Sequence, residues 1–230
     1  MSAPPRIVLV TGAAGNLGRA VAERFATDGD RVLLLGRSRE SLARVLGDED
    51  AQRVFVVADL LQPQELQRAL APHAVVDVLC NLAGGFSMGH DVDATAEADW
   101  QKMQDLNVRT LLNAVRAVVP GMRQRGRGKI VNVGANAALR GAPGMGAYIA
   151  AKAEVIRLTE TMAAELRGHG INVNAVLPSI IDTPDNRAAM PQADPARWVA
   201  PHELAEVIAF LASERAIAVH GACVPVTGLS

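Results

Sequence analysis

Tyr148 is the only tyrosine of the chain, and Lys152, four residues later, is one of three lysines beside Lys102 and Lys129. Residues at i and i+4 share a helix face, so a helical Gly144–Lys152 stretch puts phenol and ammonium side by side. A neighbouring cation favours the phenolate and draws its reference pKa of about 10 downward, making the phenol a proton donor usable near neutral pH. A second group is Thr11-Gly-Ala-Ala-Gly-Asn-Leu-Gly18. Gly12, Gly15 and Gly18 let backbone N–H groups approach a pyrophosphate, while Asn16 and Leu17 open a helix whose N-terminal partial charge suits the anion. Gly36 and Arg37, with Arg39 close by, end the next apolar run. A dinucleotide site meets the adenosine ribose there with an acid for a 2'-hydroxyl or an arginine for a 2'-phosphate. No acid is present, so the sequence favours NADP(H) over NAD(H), unless these arginines only begin an exposed helix. Asp59 either accepts from an adenine amino group or caps the helix after it.

Positioning these groups requires a scaffold, and the hydrophobic pattern supplies one. Apolar runs at Arg6–Thr11, Val32–Leu35, Arg53–Ala58, Val75–Leu82, Lys129–Gly134, Ile171–Leu177 and Ala222–Val226 read as strands. Helical periods lie between them: Leu17, Val21 and Phe25 in the first, then about Ser38–Leu46, Pro63–Ala71, from Ala96, Leu106–Gln124 despite Pro120, Met145–Arg167 and His202–Ser213. This alternation predicts an α/β fold, a Rossmann-type doubly wound parallel sheet flanked by helices, in one domain spanning residues 1–230. Pro178–Pro201 is polar and proline-interrupted and reads as a mobile lid.

Composition narrows the function. Half of the 230 residues are hydrophobic and the net charge is −1, with no basic stripe to track phosphates, so nucleic acid is not expected as a partner. The densest basic run, Arg123, Arg125, Arg127 and Lys129, reads as a solvated helix end. No apolar run reaches the ~18 residues of a membrane span and no leader pattern opens the chain, so a cytoplasmic protein is expected. Cys80 and Cys223 read as small buried residues, and the five histidines lack metal spacing. No metal is expected.

With the glycine turn, Asn81-Leu-Ala-Gly-Gly85, Asn107 and Tyr148-x-x-x-Lys152 in this order, the chain resembles the short-chain dehydrogenase/reductase family along nearly its full length. The resemblance implies a sheet of about seven parallel strands, a nicotinamide dinucleotide at its carboxyl edge, a small-molecule substrate and a homodimer or homotetramer. It implies that Tyr148 exchanges a proton with the substrate oxygen, that Lys152 lowers its pKa and binds the nicotinamide ribose, and that Asn107 holds a water in the relay. Asn81, Ala83, Gly84, Pro178 and Thr183 fall among the cofactor contacts, Thr183 facing the carboxamide.

Two positions depart from the family pattern. Asn16 stands where glycine is usual, and Ala135 stands where a serine normally holds the reacting oxygen. Asn136 beside it either donates instead or points elsewhere. Both departures, together with Gly84-Gly85-Phe86, Ala137–Met145 and Asp182–Arg187, are similar to the quinoid dihydropteridine reductase branch. That branch reads its cofactor with an acid where this chain has Gly36. Phe86 either stacks on a substrate ring or covers apolar surface, Trp198 either lines the pocket or anchors the lid, and Trp100 belongs to the core. The sequence therefore predicts an NAD(P)H-dependent oxidoreductase of a carbonyl, quinonoid or pterin-like substrate. The alternative is a dinucleotide-binding sensor or assembly subunit with little turnover, as the missing serine suggests.

Overall fold

The computed structural model describes residues 5–73 and 75–230. The strands β1 (Ile7–Thr11), β2 (Arg31–Gly36), β3 (Arg53–Val57), β4 (Val78–Asn81), β5 (Gly128–Val133), β6 (Ile171–Pro178) and β7 (Cys223–Val226) form one sheet in the order β3-β2-β1-β4-β5-β6-β7. Every neighbouring pair is parallel. Strands buried on both faces read as continuous branched runs, and alternate residues serve opposite layers. Thus Leu9, Leu33 and Leu79 join one core cluster, while Val8, Val10, Val32, Leu34, Val78 and Cys80 join the other.

The helices α1 (Asn16–Thr27), α2 (Arg39–Leu46) and α8 (Pro201–Leu211) cover the second cluster. The first is covered by α3 (Pro63–Leu70), α4 (Glu97–Gln104), α5 (Thr110–Arg125) and α6 (Gly146–Leu166), and a short α7 (Pro184–Ala189) lies after β6. The chain reverses its direction of winding between β1 and β4, the place where doubly wound sheets open a ligand crevice at the strands' carboxyl ends. The glycine turn, Gly84, Ala135 and Thr183 each follow one of these ends.

Local departures from the sequence expectation have physical causes. Only Val78–Asn81 of the expected 75–82 strand enters the ladder; Asp77 still bridges Ile7, its N–H donating to Ile7 O at 2.8 Å and its carboxylate accepting from Ile7 N at 3.0 Å. The two helices expected from Ala96 and Leu106 are one column, with a π-helical turn at Asp105–Arg109 between α4 and α5. α5 runs through Pro120, which lies on its exposed face. The basic run is not simply a solvated helix end. Arg125 donates to Val76 O at 2.6 Å, and Lys129 is buried, donating to Asn172 Oδ1 at 2.9 Å. Cys80 is fully buried, while Cys223 is only half-buried. No helix among the described residues is long and apolar enough to cross a membrane.

Candidate active site

At the end of β1 the backbone turns through Gly12 at φ +66°, a conformation that favours glycine. Gly15 N–H closes the turn on Gly12 O at 3.0 Å. A Cβ on Gly18 would lie 2.3 Å from Gly12 O and 2.8 Å from Ala13 Cα, so helix and strand meet this closely only without a side chain. α1 begins at Asn16 with no side-chain cap and no acid in its first turn, which leaves its leading N–H groups and partial positive charge directed at the crevice. This cradle fits a pyrophosphate. Gly18→Ala is expected to cost about 1–3 kcal/mol through overpacking and to weaken dinucleotide binding, checked by thermal melting and by cofactor titration.

Thr11 organises the opposite wall, a role sequence reasoning does not assign to it. Its Oγ1 accepts from Leu82 N at 3.0 Å and Ala83 N at 3.1 Å, and donates to Cys80 O at 3.4 Å. The hydroxyl thereby fixes the Asn81–Gly84 bend against β1. Asn81 itself points into the sheet. Its Nδ2 donates to Asn132 Oδ1 at 2.9 Å, Asn132 Nδ2 donates to Thr159 Oγ1 at 2.9 Å, and Asn81 Oδ1 is buried without a hydrogen-bond partner among the described residues. Ala83 follows at the crevice wall.

The π-helical turn carries Asn107, which is 2% exposed. π-turns interrupt a helix at a cost and concentrate at functional sites. Asn107 Nδ2 donates to Met103 O at 3.0 Å and Gly85 O at 3.1 Å, and its Oδ1 accepts from Gly85 N at 3.1 Å. Gly84 has no side chain where one would meet Asn107 Oδ1 at 2.8 Å and Lys152 Nζ at 3.3 Å. The Gly84 backbone therefore packs closely against an amide oxygen and an ammonium, with no room for a side chain. The contacts of Asn107 with Met103 O and Gly85 could not be read from the sequence, because they depend on the π-helical turn.

Tyr148 and Lys152 both lie on α6, as the i,i+4 spacing requires. Lys152 Nζ donates to Val133 O at 2.8 Å. The expected lowering of the Tyr148 pKa by Lys152 is not what this geometry gives. Burial dominates both groups, pushing Tyr148 up to about 12 and Lys152 down to about 8, because each group has lost water. The linkage is definite in sign. Lys152 falls from 10.5 to about 8 on folding, so the unfolded chain holds more protons in that window and stability rises with pH across it. Tyr148 rises from 10.0 to about 12, so the stability it contributes below pH 10 is lost towards pH 12. Lys152→Met should abolish the gain between pH 8 and 10.5, checked by urea unfolding at stepped pH.

Phe86 meets Tyr148 edge to face, with ring centroids 4.9 Å apart and planes at 80°. It is 58% exposed, so it forms the mouth of the site rather than core. Ala135 follows β5 and is buried, at the head of a short 3-10 turn, Asn136–Leu139. Asn136 is half-buried, and no protein hydrogen bond holds its side chain among the described residues. Pro178 ends β6 fully buried. Thr183 caps α7, its Oγ1 accepting from Asn186 N at 3.2 Å, with the hydroxyl proton still free to donate.

The 178–201 segment expected as a lid is stitched at its root. Arg187 grips Asp182 at 2.6 and 2.7 Å, Val199 N donates to Ile180 O at 2.9 Å, and Asp182 N donates to Val199 O at 2.8 Å. Trp198 is 7% exposed, which favours the anchoring role over pocket lining. Trp100 packs against the core as expected.

At the far end, Gly36 pairs with Val57 at the tip of β2, and Leu42 lies where a Cβ would point, 2.9 Å away. Arg37 is exposed there, with no ion pair among the described residues. Arg39 is engaged, pairing with Glu49 and lying 5.8 Å from the Phe55 ring centroid. Asp59 Oδ1 accepts from Leu61 N at 2.9 Å, in a turn just ahead of the α3 N-cap, Gln62, which has no side-chain cap, so Asp59 does not cap that helix. Among the described residues no three His, Cys, Asp or Glu gather as metal ligands.

Comparison with known proteins agrees with this geometry. Residues 6–194 match the short chain dehydrogenase family. The 3-oxoacyl-(acyl-carrier-protein) reductase FabG of Thermotoga maritima is 32% identical over 238 residues, covering 97% of this chain and 96% of that protein. A Brucella melitensis 3-oxoacyl-(acyl-carrier-protein) reductase with bound NAD superimposes with a TM-score of 0.86 at 32% identity, over 97% of this chain and 90% of that one. A gluconate 5-dehydrogenase from Burkholderia cenocepacia, in complex with NADP and tartrate, does so with a TM-score of 0.88 at 28% identity, over 97% and 94%. The chain belongs to the short-chain dehydrogenase/reductase family and is an NAD(P)-dependent oxidoreductase.

Proposed function

We propose that the enzyme is an NADP(H)-dependent reductase of a small conjugated ring, quinonoid or pterin-like, rather than of an unactivated ketone. The observation that carries this reading is that the end of β5 presents Ala135, with no hydroxyl to hold a carbonyl oxygen, while Tyr148 and Lys152 share α6 and Lys152 Nζ and Asn107 Oδ1 both abut Gly84. When bound, the dinucleotide supplies the hydride, that is, two electrons and a hydrogen nucleus. Tyr148 gives its phenolic proton to the substrate heteroatom. Lys152, oriented by Val133 O, stabilises the resulting phenolate and returns a proton to it through a water seated against Asn107. An easily reduced ring needs little help at its oxygen or nitrogen, so the missing hydroxyl is tolerated.

The pyrophosphate belongs in the Gly12–Gly18 cradle, and the nicotinamide ribose beside Lys152. Thr183 is the donor for the carboxamide. Arg37, exposed where an acid would serve NAD, is the partner for a 2'-phosphate. Arg37→Asp should lower the NADPH over NADH preference in kcat/KM by about 10- to 100-fold, the loss of a charge-assisted hydrogen bond; an unchanged preference would remove the NADP assignment. The substrate class is tested by following nicotinamide absorbance with NADPH and quinonoid dihydropterin or a quinone. Absence of oxidation with both would overturn it.

A further inference from the structure

Tyr148, Lys152, Val155 and Thr159 form one stripe along α6, since successive steps of four, three and four residues return to the same helix face. Lys152, Val155 and Thr159 are buried on that face. Two hydrogen bonds join the stripe to β5, and they fall on consecutive strand residues. Lys152 Nζ donates to Val133 O at 2.8 Å, and Thr159 Oγ1 accepts from Asn132 Nδ2 at 2.9 Å.

The second bond belongs to a chain of side chains shielded from water. Asn132 and Thr159 are 0% exposed and Asn81 is 4% exposed. Asn81 Nδ2 donates to Asn132 Oδ1 at 2.9 Å, and Thr159 Oγ1 donates to Val155 O at 2.8 Å. The Thr159 hydroxyl thus gives its proton to its own helix and a lone pair to the strand, and three side chains tie β4, β5 and α6 together. Buried threonines commonly satisfy themselves on the i−4 carbonyl, which accounts for the bond to Val155 O. It does not account for Asn132, a buried amide whose two ends reach two different elements. Valine would fill the Thr159 volume with no polar group to satisfy. A satisfied polar network is directional where apolar packing is not, and so it specifies one arrangement of the elements it joins. Here that arrangement is the height and rotation of α6 on β5, and Lys152 lies two turns from Thr159 on the same face.

Resting on the role of Lys152 given above, we propose that Thr159 is a positioning residue, which through Asn132 holds α6 in the register on β5 that seats Lys152 Nζ on Val133 O. Buried beneath the site, Thr159 acts only through Lys152.

The test compares wild type with Thr159→Ser, which keeps the hydroxyl, and Thr159→Val, which keeps the volume and removes it. The chain has three lysines, Lys102, Lys129 and Lys152, so 15N-lysine labelling gives three Nζ signals, and Lys152→Met identifies one of them. Proton exchange between the Lys152 ammonium and water, read by NMR at mildly acidic pH, reports on its seat. Lys129, also buried and donating to Asn172 Oδ1 at 2.9 Å, is the internal control for general loosening. Thr159→Val should speed Lys152 exchange by about tenfold, the net worth of one hydrogen bond, and Lys129 exchange by less than about twofold. It should slow single-turnover oxidation of NADPH by 2-methyl-1,4-naphthoquinone by about tenfold for the same reason. Thr159→Ser should match wild type in all three. If Thr159→Val does not fold, Thr159→Cys, with similar volume and only a weak acceptor, replaces it with the same expectations.

Equal acceleration of both lysines would make Thr159 purely structural and overturn the proposal. Unchanged Lys152 exchange, or a serine variant as impaired as the valine one, would overturn it too. Faster exchange confined to Lys152 supports the positioning role even where turnover is unchanged or absent in wild type, and in that case it is the catalytic reading of Lys152 that falls.

Discussion

Replacing Tyr148 with phenylalanine is expected to lower kcat by about 100- to 10,000-fold, the usual contribution of a positioned general acid, with dinucleotide affinity close to wild type. The two effects separate because the phenol and the cofactor cradle belong to different parts of the site. In the proposed reading the pyrophosphate is assigned to Gly12–Gly18 and the N-terminus of α1, neither of which belongs to α6. Phe86 packs on the ring of Tyr148 rather than on its hydroxyl, so a phenylalanine keeps that contact and the loop that depends on it. Single-turnover rates at saturating NADPH, read beside a cofactor titration, measure both quantities. Equal loss of binding and turnover would mean that Tyr148 is structural.

The second large effect is a gain. Ala135→Ser should raise turnover of a simple ketone by about 100-fold, at the lower end of what a single oriented donor contributes to such chemistry. Ala135 sits at the carboxyl end of the sheet in extended backbone, φ −156° and ψ 142°, as the cap of the Asn136–Leu139 turn. A serine adopts that conformation without strain, and its hydroxyl has two uses there, capping the turn or facing the pocket. Only the second raises ketone turnover. An easily reduced quinonoid substrate should gain no more than a few-fold, since its reduction does not depend on that donor. Steady-state kcat/KM for both substrates in the two proteins checks this. A gain of equal size for both would contradict the idea that substrate reactivity replaces the missing serine.

Much of this architecture is legible in the sequence because its determinants are local. The branched runs of β1, β2 and β6 require burial on both faces, the glycine turn follows β1 directly, and the Tyr148–Lys152 spacing fixes a shared helix face. What escapes is set by contacts between distant segments. Nothing local shows that Asp105–Arg109 takes a π turn and directs Asn107 to Gly85, nor that Thr11 clasps the backbone after β4 across 71 positions. The pKa expectation failed for a related reason. Spacing shows that two groups are near each other, but not that burial outweighs their attraction. Lys129 shows the same limit, since its charge suggests solvent while the fold pairs it with Asn172. For Trp198, which lies within the 178–201 segment, the spacing leaves both readings open and its burial favours anchoring.

The central claim is that the proton donor set works on a substrate needing no hydroxyl from position 135. It is tested most directly by the ratio of kcat/KM for a quinonoid substrate to that for a simple ketone, measured in wild type with NADPH at neutral pH by nicotinamide absorbance. The account predicts ready turnover of the quinonoid substrate and a ratio of about 100 or more, from the absent oriented donor. A ratio near one, or turnover of the ketone alone, would contradict it.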